Sequence, residues 1–191
     1  MVLVSFKNFS AAPEAYIDPL SLQEMPSMIG YSRTGIDDDH KFDRDDTTIL
    51  GSFKGHDIHH LTSTFRGTHV AHDIWAVDQK TGKVNMRLSG GRGDDNKHIR
   101  INSVKGRKGS PIKAHELYHH LITTHSFTLT SDKNQSKGGS STWKELSKNK
   151  DIHMTHDNPH GERVKLHPTS KWHHNYSDET ENSRFTAKKK T

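Results

Sequence analysis

The stretch Lys105-Gly106-Arg107-Lys108-Gly109-Ser110-Pro111 holds the residue types that most directly suggest chemistry. Three cations stand among two glycines. Apolar residues then recur at Ile112, Leu117, Tyr118, Leu121 and Ile122, the spacing of one helix face. Ser110 is an N-cap residue type and Pro111 suits a first helical turn, so a helix is predicted to start there. Helix starts offer unpaired N–H groups and a partial positive charge, and glycine lets a phosphate approach the backbone. The combination suits a pyrophosphate. A basic surface turn capped by Ser-Pro has the same composition, and composition alone does not separate the two.

Histidine supplies the competing chemistry. His60-Leu61-Thr62 and His153-Met154-Thr155 are two His-x-Thr triplets, each in a β-type run. Paired triplets of this kind on facing strands are the signature of the two-histidine (2H) phosphoesterases, with one His as base and the other as acid. Seventeen histidines make chance triplets common, so this stands as an alternative reading. His115 and His119 are spaced to chelate a metal from one helix face, but the His-Glu-x-x-His pattern is absent. A solvated histidine face is the expectation, and no metal site is predicted. The aspartates among residues 37–46 lack the EF-hand pattern and read as an acidic arm.

The elements that must position these groups can be traced along the chain. Residues 1–48 are broken by Pro13, Pro19 and Pro26 and read as an extended, acidic N-terminal arm. Residues 74–78 and 83–89 form a predicted hairpin about the turn at 79–82, with Val84, Met86 and Leu88 on one face. A strand over 99–104 feeds the basic glycine loop and its helix. A short strand at 127–130, a polar loop at 131–139, a helix at 140–146 with Trp143, and a hairpin of 152–155 with 163–166 follow. The expected organisation is an arm (1–48), one domain (49–167) and a polar basic tail (168–191) lying at the periphery.

The segment Val104 to Ile112 with Leu117-Tyr118 and Leu121-Ile122 resembles the loop and helix that hold the pyrophosphate of acetyl-CoA in GNAT-type N-acetyltransferases. Downstream, Leu129-Thr130-Ser131-Asp132, Gln135-Ser136, Gly138-Gly139 and Trp143-Lys144-Glu145-Leu146 are similar to GNAT-like proteins encoded by bacteriophages. The likeness spans about residues 73–166. It implies an α+β fold with a mixed, mostly antiparallel sheet flanked by helices. It also implies an acetyl-CoA-dependent acyltransferase of unknown acceptor, with Val104, Lys105, Gly106, Arg107, Lys108, Gly109 and Ser110 at the cofactor. The thioester would align with the backbone of the 99–104 strand. Asp132, after a strand end, is the candidate base and Ser131 a candidate positioning group; an Asx turn closing the strand is the competing reading of Asp132. The loop departs from the family's Arg/Gln-x-x-Gly-x-Gly/Ala pattern, with Gly106 at its first position and Pro111, which has no N–H, at its last. The departure keeps open a catalytically silent relative serving as a virion component or host-interaction protein.

Composition bounds these readings. With 29% hydrophobic residues, 191 residues can support one modest core with appendages. No apolar run approaches the roughly 20 residues that span a bilayer, and residues 1–10 lack a signal-peptide pattern, so no membrane partner is expected. The absence of cysteine removes disulfides, thiolate zinc sites and cysteine nucleophiles, and fits a cytoplasmic (bacterial host) or virion location. The net charge is +5. The six Lys/Arg among residues 96–113 have no interleaved aromatics, which argues against nucleic acid as partner. Protein partners or virion assembly would use the arm and tail.

Overall fold

A computed structural model describes residues 42, 44–65, 69–92, 96–132, 137–157, 163–166 and 184–191. Within it the chain folds as an α+β unit with a mixed, mostly antiparallel sheet and two helices, as the sequence predicts. The expected arm up to residue 41 lies outside the described residues.

The first half of the sheet is a meander. Strands β1 (Thr48–Phe53) and β2 (His56–Phe65) join through Lys54 and Gly55, both at positive φ (49° and 73°). Two such residues make the tight turn that matches strand twist. Strand β3 (His69–Asp78) then pairs with β4 (Val84–Arg92) as the predicted hairpin. One Asp78 carboxylate oxygen closes its turn by accepting from Lys80 N, Thr81 N and Thr81 Oγ1. One detail differs from expectation. Ala76 stands opposite Met86 but Val77 opposite Val84, so Asn85 is an extra residue in the ladder. That bulge reverses the side-chain alternation. Met86 and Leu88 therefore enter the main core, while Val84 packs with Trp75 and Val77 on the opposite face.

Strand β5 (His98–Gly106) links the two halves of the sheet. It pairs antiparallel with β4, and its first three residues pair in parallel with β6 (Thr128–Thr130). A second bulge lies on β5, where Ser89 faces Ser103 but Gly90 faces Ile101, leaving Asn102 extra. Gly90 permits the close approach there, because a Cβ would collide with the Arg100 carbonyl.

The second half contains β7 (Ile152–Asp157), β8 (Arg163–Lys165) and β9 (Arg184–Lys189). The strand order is β1-β2-β3-β4-β5-β6-β9-β7-β8. The predicted hairpin of β7 with β8 is present, but the boundary at residue 167 does not hold. Residues 184–189, expected in a peripheral tail, form a strand between β6 and β7, with Phe185 and Ala187 in the core. Alternation of Phe185 and Ala187 with the hydroxyl and charge of Thr186 and Lys188 is the physical reason, and the surrounding polarity hides it.

Helices α1 (Ala114–His125) and α2 (Lys137–Leu146) lie over one face. Leu117, Tyr118, Leu121 and Ile122 of α1 and Trp143 and Leu146 of α2 share a core with Ile58, Ile74 and Leu88 of the sheet. The start of α1 is not at Ser110. Ser110 Oγ accepts from Ile112 N and donates to Ile112 O, closing a turn of its own. The helix begins after Lys113, whose amide is held by the Glu116 carboxylate at 3.0 Å. Conversely, α2 starts earlier than predicted and takes Gly138 and Gly139 into its first turn.

Candidate functional site

Parallel pairing of β5 with β6 is brief. β6 ends at Thr130, opposite Arg100, whereas β5 continues to Gly106. Residues 101–106 are paired on one side by β4, and no strand of the described residues lies along their other edge. A cleft of about 500 Å³ opens against that edge, a volume suited to a small-molecule ligand. One wall is the bulged strand, including Asn102, Ser103 and Lys105. The other is Ser131 and Asp132 after β6 with Gly138, Gly139 and Thr142 of α2; Tyr118 and Trp143 also line it. The first residue of α1, Ala114, reaches the cleft as well.

The structure brings together part of the predicted set. Val104, Lys105 and Gly106 line the cleft together with Ser131 and Asp132. Arg107, Lys108, Gly109 and Ser110 continue the chain beyond its lining, as the loop between β5 and α1. Two groups in this loop are already committed: Ser110 N donates to Arg107 O at 3.0 Å, and Arg107 Nε donates to Val84 O at 3.1 Å. The Ser110 amide, expected to face a phosphate, is therefore spent on the turn. Among the described residues, the amides of Lys108 and Gly109 have no acceptor, and Gly109 holds φ at 76°. Lys108 is exposed.

Ser131 is likewise committed. Its buried hydroxyl donates to Asp132 O and accepts from Phe185 N at 2.9 Å, tying β6 to β9. This is a structural role, and it leaves Asp132, half-buried in the wall, as the carboxylate that lines the cleft. Glu116, just inside α1, is occupied differently. Burial acts to raise its pKa, but hydrogen bonds from Lys54 Nζ (2.6 Å) and the Lys113 amide outweigh it and hold the group below its usual range. Sequence reasoning placed Asn102 and Ser103 in the 99–104 strand expected along the thioester but not the bulge that shapes it, and it missed Tyr118 as a lining residue. Only strand register reveals the bulge. Tyr118 was read as helix core, which it also is; burial pushes its phenol pKa up, so it stays neutral.

The two His-x-Thr triplets do not meet. His60 lies on β2 and His153 on β7, six strand steps apart in the sheet order, roughly 29 Å along the sheet. They also use opposite faces, since Ile152 and Met154 flank His153 and point to the core. His60 instead bonds to His72 at 3.0 Å. His119 pairs with Asp151 at 2.9 Å. Among the described residues no group of three or more His, Asp or Glu could hold a metal ion.

Comparison with protein-family models, with curated proteins and with solved structures returned no match. Among the described residues, no helix is long and apolar enough to cross a membrane.

Proposed function

We propose that the cleft beside β5 is the acyl-donor site of a GNAT-like, acetyl-CoA-dependent acyltransferase of the bacteriophage type, acting on an acceptor amine. One observation carries this reading: β5 outruns its parallel neighbour, bulges at Asn102, presents the edge of residues 101–106 to the cleft and ends in a basic glycine loop before a helix. A ligand with an extended amide-bearing arm and a polyphosphate head matches that sequence of groups. The arm can lie along that edge, beside which no described strand runs, in the manner of an added strand. The head would meet Lys105, Lys108 and the amides of Lys108 and Gly109. Pro111 removes one donor from the loop, and the two amides left without acceptors support binding in its place.

Acetyl-CoA supplies an acyl group activated as a thioester. Backbone N–H groups at the bulge would polarise its carbonyl, and Asp132 would accept the proton lost by the attacking amine. Transfer forms the amide C–N bond, breaks the C–S bond and leaves a thiolate that takes up a proton. The competing reading is a catalytically silent relative used in a virion or against a host protein.

Titration calorimetry with acetyl-CoA separates the two. The expected result is saturable micromolar binding, weakened about tenfold or more both by Lys108→Glu, which reverses an exposed charge, and by Thr142→Trp, which fills the cleft. Absence of binding to the folded protein at millimolar acetyl-CoA would retire the acyltransferase and favour the silent relative.

A further inference from the structure

Away from the cleft, four imidazoles lie in two pairs, one on β2 and β3 and one in the last turns of α1, where the His120 ring lies against β1. His60 of β2 and His72 of β3 are coplanar within 3°, with His60 Nε2 3.0 Å from His72 Nδ1. Both rings meet Phe127 edge-on, at 5.6 and 6.3 Å. On α1, His120 Nε2 lies 3.3 Å from His125 Nε2, and the His120 ring stacks on Phe53 of β1 at 4.5 Å. Among the described residues before β5, Lys97 reaches in: its Nζ sits 4.6 Å from the Phe127 ring and donates to the His125 carbonyl. From β9, Lys189 Nζ donates to Thr123 O on the same helix. His119 belongs to another surface, where it faces Asp151. Among the described residues no carboxylate forms an ion pair with His60, His120 or His125.

The chemistry of such pairs limits their protons. Two imidazoles sharing one N–H···N bond keep it when neutral or singly protonated. With two protons each ring presents an N–H to the other, the bond is lost and like charges face each other. In an unfolded chain all four rings are free to protonate below about pH 6.

We infer that the four-histidine cluster is an acid-triggered release that frees the C-terminal turns of α1 from the β1–β3 end of the sheet. The titration directions agree in sign. Burial first, then Lys97 and His125, lower the His60 pKa to about 4, and burial lowers those of His120 and His125. A histidine with a lowered folded pKa gives stability that is present above the unfolded value near 6.5 and lost as pH falls towards the folded value.

Amide hydrogen exchange of the full chain, corrected for intrinsic pH dependence and resolved by segment, tests this between pH 7.5 and 5. Residues 119–125 and 56–61 are expected to lose protection about tenfold or more by pH 5, while α2 and β9 keep theirs. The His120→Gln/His125→Gln variant, which keeps polar groups at half-buried positions, should lose most of that response. Unchanged protection at pH 5, a uniform loss across all segments, or the same response in the variant would each overturn the inference. Carbon-13 titration of the wild-type imidazoles is a second check: midpoints below 6.5 are expected for His60, His120 and His125, and independent midpoints at 6.5 for all three would overturn it as well.

Discussion

Phe185→Ala is expected to lower the unfolding free energy by about 3–5 kcal/mol, and deletion of residues 184–191 to abolish the folded second half of the sheet. Phe185 is 2% exposed and packs against Trp143 at 6.2 Å and His156 at 4.9 Å. Its backbone amide donates to Ser131 Oγ, and Ser131 N donates to the Phe185 carbonyl at 2.8 Å. β9 is also the strand between β6 and β7, so its loss leaves both with unpaired edges around Leu129 and Met154. The Lys190 amide donates to Asp151 O and ties the end of β9 to the start of β7. Urea denaturation followed by Trp fluorescence measures both changes. A truncated chain within about 1 kcal/mol of the full protein would show that the strand is dispensable.

Arg87→Met is the second change with a large expected effect, about 3–5 kcal/mol of lost stability at pH 7, because it takes the hydrogen-bonded cation from a buried carboxylate on which Arg44 acts only through charge. Asp73 is 6% exposed and receives both Arg87 Nε (3.1 Å) and Nη2 (2.8 Å) on one oxygen. Burial already raises the Asp73 pKa, and Arg87 acts against that rise. Removing the guanidinium lets burial act with less opposition. A carboxyl whose folded pKa lies above its unfolded value contributes stability at low pH that is lost as pH climbs through the folded value. The variant should therefore lose more stability between pH 5 and 7.5 than the wild type does. Adding Asp73→Asn should recover part of the loss at pH 7, since the buried charge is gone. The guanidinium also lies 5.7 Å from the Trp75 ring centre, so recovery is expected to be incomplete. A single variant as stable as wild type at pH 7 would contradict the account.

Much of the architecture was legible in the chain because local chemistry and fold agree. The hairpin around residues 79–82 has alternating strands and an Asp-x-x-Thr-Gly turn whose side chain completes the turn. The α1 face was readable from Leu117, Tyr118, Leu121 and Ile122, all buried. What failed depended on register or on distant partners. The bulges at Asn85 and Asn102 are set by pairing across strands, and no single strand announces them. β9 is six residues whose worth lies in Phe185 and Ala187 fitting between β6 and β7. Ser110 looked like an N-cap because its type and the following proline fit one, yet its hydroxyl turned to Ile112. At the candidate site the residues of the loop and of 131–132 were visible in sequence. That Val104, Lys105, Ser131 and Asp132 share a cleft, while His60 and His153 do not, follows from strand order alone.

The most direct test of the proposed acyl-donor site is a backbone amide NMR titration of the full chain with acetyl-CoA. The account predicts saturable shifts concentrated at residues 101–110 along β5 and its loop, and at 138–143 of α2. Unshifted amides in those two segments at millimolar ligand, or shifts confined to another surface, would contradict it.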